Sequence, residues 1–367
     1  MVGDVAWGEL AVYRARVRGC LLGGAIGDSL GYPVEGLSLA EIQARYGERG
    51  LSGLVADRAG VVGRISDDTQ MTLFTAEGWM RGGGMTGAEA TPVQEAYLRW
   101  LDTQDHDGPP PAYGFQHRTG WLRNELWLYE RRAPGLACLS GLREGYVPDP
   151  SRVIDGTTGR VNPGSKGCGT VMRSAPFGFT AGGTRHAFES AARCAQITHG
   201  HPTGYYAAGA FAAMISCLVD DESLEGAVLR AMDLLARYPG HEETTAALRK
   251  AVDLATDGTA TPSKVESLGG GWVAEEALAI AVYAALARPD DEAARNPVEA
   301  ALLLSVNHSG DSDSTGAVCG NLLGAHHGDA LLPPQWLARI EGRAVIAVVA
   351  DDLASEVRPG GQRLWGS

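Results

Sequence analysis

The sequence predicts an all-α protein folded as one compact domain, 1–367. Apolar residues recur at helical spacing through most of it. In 242–256, for example, Leu248, Ala251, Val252 and Ala255 share one face at i, i+3, i+4 and i+7. Strands alternating regularly with helices, the mark of a parallel α/β sheet, are absent. No internal repeat, low-complexity tract or disordered linker divides the chain.

Glycines cluster at Gly23–Gly31, Gly164–Gly169, Gly269–Gly271 and Gly310, each read as lying just ahead of a helical segment. Glycine is a poor helix-interior residue but serves caps, tight helix contacts and close approach of backbone to a ligand. Tyr32-Pro33 signals a turn that ends the first helix. Gly53–Ile65 is the one stretch read as a short strand or hairpin, and Gln70–Met80 as a helix. Asp102–Gly114 and Tyr146–Lys166, rich in turn-forming residues, read as loops. Further helices are expected over 186–198, 222–237, 242–256, 272–287, 298–306 and 343–355. The apolar run Tyr205–Val219 is short for a membrane span and reads as a buried helix.

Composition narrows the function classes. The net charge is −13, which disfavours non-specific binding to nucleic acid. A small anionic ligand stays open, because local dipoles and a bound metal can reverse the field in a pocket. The six cysteines are scattered, with no CxxC pair, which reads as reduced thiols and a cytoplasmic protein. The N-terminal residues show no apolar signal-peptide core.

Two acidic clusters threaded with hydroxyls carry the chemistry. One is Ser66-Asp67-Asp68-Thr69, the other Asp311-Ser312-Asp313-Ser314-Thr315, and neither contains a Lys or Arg. Each precedes a helical stretch, so each taken alone reads as a helix cap with acids favoured by the dipole. Brought together, four carboxylates would repel strongly unless a cation lay between them. All-oxygen donors suit a hard ion such as Mg²⁺, Mn²⁺ or Ca²⁺. An EF-hand loop beginning at Asp311 fails, since Thr315 is at its fifth position and Leu322 replaces the closing Glu. A phosphatase-type Asp-x-Asp-x-Thr fits poorly too, because Asn307–Gly310 separates the apolar run from Asp311.

Three further segments are candidates. Glu35, on a loop, matters if it faces the same pocket. Asn162–Arg173 is a glycine-spaced loop running into a short helix, able to aim backbone N–H groups at a phosphate, with Lys166 to neutralise it. His199 and His201 adjoin a helix start and read as a cap or a ligand contact, whereas His326-His327 ends a helix, where cationic imidazoles suit the dipole.

In order along the chain, Gly27-Asp28, Gly31, Glu35, Ser66–Met71, Gly167, Gly169, Met172-Arg173, Ala175-Pro176, Thr198-His199 and Gly310–Thr315 resemble the ADP-ribosylglycohydrolase family. The resemblance covers a core of residues 19–328. It implies an all-α fold with a cleft holding two Mg²⁺ (or Mn²⁺), ligated by Ser66, Asp67, Asp68, Asp311, Asp313 and Ser314. It implies catalytic roles for Glu35 and Asp67. It places the ADP-ribose on Gly164, Ser165, Lys166, Gly167, Cys168, Gly169 and His199, with Trp272 stacking on adenine. Many members read Gly-Asn-Gly where this chain reads Gly167-Cys168-Gly169, which changes the contacts near the scissile bond. The expected activity is metal-dependent hydrolysis of the glycosidic bond joining ADP-ribose to a modified target, by a monomer with no membrane partner. The alternatives are a metal-dependent phosphohydrolase of a nucleotide or phosphosugar, and a non-catalytic ADP-ribose-binding protein.

Overall fold

The computed structural model describes residues 2–83, 90–287 and 296–356, and of residues 2–7 the backbone alone. The chain begins with α1 (Val2–Gly31), a 3-10 turn at Tyr32–Val34, and α2 (Leu39–Tyr46), opened by a Ser38–Glu41 capping box. An irregular stretch leads to α3 (Asp67–Arg81) and α4 (Ala90–Asp105). Then come α5 (Leu136–Arg143), α6 (Gly183–Ala195), α7 (Pro202–Val219) and α8 (Leu224–Leu235). Next are α9 (Glu242–Thr256), α10 (Pro262–Leu268), α11 (Ala274–Leu286) and α12 (Pro297–Val306). The last are α13 (Ser312–His327), α14 (Pro334–Leu337) and α15 (Arg343–Glu356). Among the described residues there is no strand.

The middle of the molecule is made by helices apolar on every side. α7 is buried from Thr203 to Leu218, and α13 from Ser312 to Ala325. A helix apolar all round has no face for water and sinks into the core. Around them lie helices with one apolar stripe, such as α9, which buries Thr244, Leu248 and Ala251.

The closest approach is between α1 and α13. Gly19, Gly23 and Gly27 lie against the carbonyls of Gly324, Gly320 and Gly316, and Gly31 against the backbone of Ser312. A Cβ at any of these glycines would run into main chain. The four-residue spacing on both helices, with one sequence rising as the other falls, makes the pair antiparallel along a seam of bare backbone. Asn321 straps the seam by donating to the Cys20 carbonyl at 2.8 Å.

Several sequence expectations change. Gly23–Gly31 lies inside α1, because backbone contact with α13 outweighs the propensity cost of glycine. Gly53–Ile65 forms no strand; one antiparallel bridge pairs Ala56 with Val62, and the stretch is otherwise irregular. The loop expected from Asp102 begins after Asp105, since α4 runs on and buries Asp102, Thr103 and Gln104. Burial pushes the His326 and His327 imidazoles below their usual range, with Arg16 adding to it at His326 and His326 adding to it at His327, against the expected cationic pair.

The seam makes a stability prediction. Gly27→Ala should lower the denaturation midpoint by the equivalent of about 1–3 kcal/mol, the usual cost of overpacking a filled site. Gly8→Ala is the control: it sits in the same helix with open space around its Cα. There the substitution should be neutral or gain roughly 0.5–1 kcal/mol of helix propensity. Equal effects in the two variants would remove the seam's role.

Candidate metal centre and cleft

The two acidic clusters open two helices. Ser66 caps α3, its hydroxyl accepting from the Asp68 N–H at 3.2 Å, with Asp67 and Asp68 in the first turn. Asp311 caps α13, accepting from the Ser314 N–H at 3.3 Å, and Asp313 follows. The capping reading therefore holds for both clusters. The fold also aims both helix starts at one cleft of about 390 Å³, lined by Asp67, Asp68, Asp311, Asp313, Ser314 and Glu35.

Backbone joints hold these pieces together. The α1–α13 seam ends where Gly31 meets Ser312. Just beyond it, the Gly36 N–H donates to the Gly310 carbonyl at 2.8 Å, setting Glu35 beside α13. Asp28, on the last turns of α1, is buried and grips the other cluster. Its carboxylate accepts from the Ser66 N–H at 2.9 and 3.0 Å, from the Thr69 N–H at 3.1 Å, and from the Thr69 hydroxyl. Arg132 braces the same segment: its carbonyl accepts from the Asp67 N–H at 3.1 Å, and its guanidinium donates to the Ile65 carbonyl at 3.0 Å and to Glu341.

One wall of the cleft escaped sequence reading: Ala133–Cys138. The Gly135 N–H donates to Asp67 Oδ2 at 3.3 Å, and Ala133 adopts a left-handed conformation at φ 53. The available signal was the Pro134-Gly135 turn pair ahead of an apolar helix. Asp28 was likewise given no role, because a lone Asp in a glycine-rich stretch carries no sign of its partners.

The glycine loop and Trp272 meet on the opposite side. The Cys168 N–H donates to the Trp272 carbonyl at 3.1 Å and the Ala274 N–H to the Lys166 carbonyl at 2.8 Å. Gly167, Cys168, Gly169, His199 and Trp272 line the cleft. Ser66 is fully buried behind the lining as a cap, and Gly164, Ser165 and Lys166 lie outside it. The Lys166 ammonium is held by Glu243 at 2.6 Å and by Glu275. His201 caps α7 through Nδ1, whereas His199 sits 2.7 Å from the Thr198 hydroxyl, which accepts from Arg173 at 2.6 Å. Burial, with Arg173 adding to it, pushes His199 down to about 3, so its imidazole is neutral.

Charge in the cleft is uncompensated. Among the described residues no Lys or Arg lines it. Asp67, Asp68 and Asp313 are each at most 3% exposed. Burial, and after it neighbouring carboxylates, pushes all three well above the usual range. Burial also raises Asp28, to about 6, against the pull of its hydrogen bonds. Glu35 rises to about 7 through burial and then the charges of Asp311 and Asp28. Asp68 Oδ2 is buried without any hydrogen-bond partner. A buried, unpaired carboxylate oxygen among like charges is what a hard cation relieves, so the donor set fits such an ion. Among the described residues no three His, Cys, Asp or Glu side chains already converge on one point as a finished ligand shell.

The family model that matches residues 9–363 is that of ADP-ribosylglycohydrolase. The chain belongs to the ADP-ribosylglycohydrolase family. It is 24% identical over 328 residues to the ADP-ribosyl-[dinitrogen reductase] glycohydrolase of Rhodospirillum rubrum, covering 89% of this chain and 90% of that one. It is 29% identical over 212 residues to the ADP-ribosylhydrolase ARH3 of Homo sapiens, covering 52% and 58%. A solved structure titled ADP-ribosylglycohydrolase-related protein complex has the same fold, with a TM-score of 0.59 at 24% identity over 94% of this chain and 98% of that one. Family members are glycohydrolases of ADP-ribosyl linkages, and the all-helical architecture agrees with that family.

The raised Glu35 carboxyl yields a pH test. Folded, it titrates at about 7 against its ordinary 4.5, so the folded protein keeps a proton that the unfolded chain has lost. Stability from this group is therefore present at low pH and lost as pH rises through that window. In chelator-treated protein, the Tm of Glu35→Gln relative to wild type should climb between pH 4.5 and 7 and then level off. A difference that is flat with pH would remove the burial argument.

Proposed function

We propose that this glycohydrolase hydrolyses the bond between the anomeric carbon of ADP-ribose and a modified target, and that it does so with two divalent cations, Mg²⁺ or Mn²⁺. The observation that carries the reading is the cleft itself. Four aspartates and Glu35 face one space, with no cationic side chain lining it among the described residues and one carboxylate oxygen unpartnered.

Asp67, Asp68, Asp311, Asp313 and the hydroxyls of Ser66 and Ser314 would hold the ions. When bound, such ions supply charge stabilisation, orientation and a more acidic water. Cleaving a glycosidic bond builds positive charge on the ribose, which the ring of carboxylates favours. Glu35 is the group suited to carry the proton, because at about 7 it both gives and takes protons near neutrality. It would accept a proton from the attacking water or deliver one to the leaving atom. Asp67, fixed by the Gly135 N–H and the Arg132 carbonyl, would orient that water. The Gly167–Gly169 backbone and neutral His199 would position the ribose and diphosphate, and half-exposed Trp272 offers a ring face to the base. The name of one relative, an ADP-ribosyl-[dinitrogen reductase] glycohydrolase, supports a protein target. We infer as well a cytoplasmic monomer, from scattered cysteines and the acidic net charge.

The test uses ADP-ribosyl-arginine and ADP-ribosyl-serine peptides with and without chelator. Intact ADP-ribose should appear from one of them and stop on chelation, with Mg²⁺ or Mn²⁺ restoring it. Glu35→Gln should cost roughly 10²–10⁴-fold in kcat, the range of a general acid or base. Asp67→Asn with Asp311→Asn should abolish turnover. Release of phosphate or AMP would favour a phosphohydrolase, and binding of ADP-ribose without turnover of either peptide a binding protein. Chelator-insensitive release would sink the metal-dependent mechanism.

A further inference from the structure

The cleft holds a donor of a different kind from its oxygens. The Cys168 thiol donates to Asp311 Oδ2 at 2.7 Å. Its position is fixed on both sides: the Cys168 N–H is tied to Trp272, and its carbonyl accepts from Val171 at 2.9 Å and Met172 at 3.1 Å. Asp311 is equally fixed, its N–H donating to the Gly270 carbonyl at 2.8 Å. Sulfur and carboxylate are thus delivered to one place by rigid backbone. Facing the same space is Asp68, 2% exposed, with Oδ2 unpartnered.

We propose that Cys168 and Asp311 form a mixed sulfur–oxygen chelate at the edge of the acidic centre, which captures a thiophilic divalent cation such as Zn²⁺ or Cd²⁺. The proposal rests on reading the cleft as a cation site and names which ion this chain's own residues would favour there. Zinc bonds to sulfur at about 2.3 Å and to carboxylate oxygen at about 2.0–2.2 Å. At a tetrahedral angle those lengths put the two donors about 3.5 Å apart, so an opening of under about 1 Å makes room. In the step itself the S–H bond breaks, a metal–sulfur bond forms, and the proton leaves to solvent with no change of oxidation state. Thiolate ligation selects Zn²⁺ over Mg²⁺ or Mn²⁺, which the surrounding carboxylates suit. A thiophilic ion would then compete for Asp311 with the hard ions of catalysis, which makes the centre sensitive to zinc.

The experiment uses the full chain, stripped of metal and kept reduced without added thiols, and titrates it with Cd²⁺. Wild type should develop a thiolate-to-cadmium charge-transfer absorption that saturates at one equivalent and is reversed by Zn²⁺. Cys138→Ser, which removes the other cleft thiol, should keep the band, and Cys168→Ser and Cys168→Asn should lose it. Zn²⁺ affinity by calorimetry should fall in Cys168→Ser by at least the roughly tenfold that losing even an outer partner costs a metal site. Absence of the band in wild type, or its survival in both Cys168 variants, overturns the proposal. Mn²⁺ binding separates the two readings. If wild type binds Mn²⁺, Asp67→Asn weakens it and no cadmium band forms, the chelate falls and the cation cleft stands. If neither ion binds, both fall.

Discussion

The contact on which the structure depends is the backbone seam between α1 and α13. Helices with ordinary side chains pack about 8–10 Å apart. Glycine on both partners removes that spacer at three successive turns, and Gly31 against Ser312 extends the close approach to a fourth. The gain lies in position more than in buried area. A seam that close lets the end of one helix fix the start of the other, so Gly31 meets Ser312 and the residues flanking them share one space. Glu35 enters the cleft from the α1 side, and Asp311 and Asp313 from the α13 side. Asp28 then reaches across to the Ser66–Thr69 turn and fixes the third element. Two glycine stripes and one buried carboxylate thus gather four aspartates that are far apart in sequence.

Gathering them is electrostatically unfavourable, and the fold offsets part of the cost. The starts of α3 and α13 both turn the positive end of the helix dipole toward the cleft. That is worth at most about 2 kcal/mol per favourable group. The remainder appears as raised proton affinity: burial and neighbouring carboxylates push Asp67, Asp68 and Asp313 well above the usual carboxylate range. A cap and a cation ligand are therefore not competing descriptions of these residues. The cap fixes the backbone so that the carboxylates face one another, and their repulsion creates the demand for positive charge.

What was legible in the sequence follows from how local each signal is. α9 was read to its ends because its apolar stripe faces a core on one side and water on the other. The acidic clusters were legible as caps from their own residues, and as one site through the resemblance that runs along the chain. Gly23–Gly31 was misread because helix propensity assumes a solvated helix, whereas here the partner is another backbone. Lys166 was expected to meet a phosphate because it sits in the glycine loop. Its partners, Glu243 and Glu275, are 77 and 109 residues away and give no local sign. The Ala133–Cys138 wall was missed for the same reason, since its importance is one N–H donated to Asp67 across the fold.

The two carboxylates on the α1 side show how environment divides roles between similar groups. Asp28 is fully buried, yet it accepts four hydrogen bonds from Ser66 and Thr69, and they hold its pKa to about 6. Every lone pair that points at the turn is used, so protonating it would loosen the Ser66 cap. It is an anchor. Glu35 is less buried, and among the described residues no hydrogen bond is given to its carboxylate; burial and then the charges of Asp311 and Asp28 raise it to about 7, against the pull of Arg58. A carboxyl free of structural hydrogen bonds can change protonation state without moving the backbone, as a proton carrier must. What distinguishes an anchoring carboxylate from one able to exchange a proton here is its hydrogen bonding. The difference comes from hydrogen-bond supply: the α3 turn has N–H groups to give to Asp28, and the loop at Gly36 spends its N–H on Gly310.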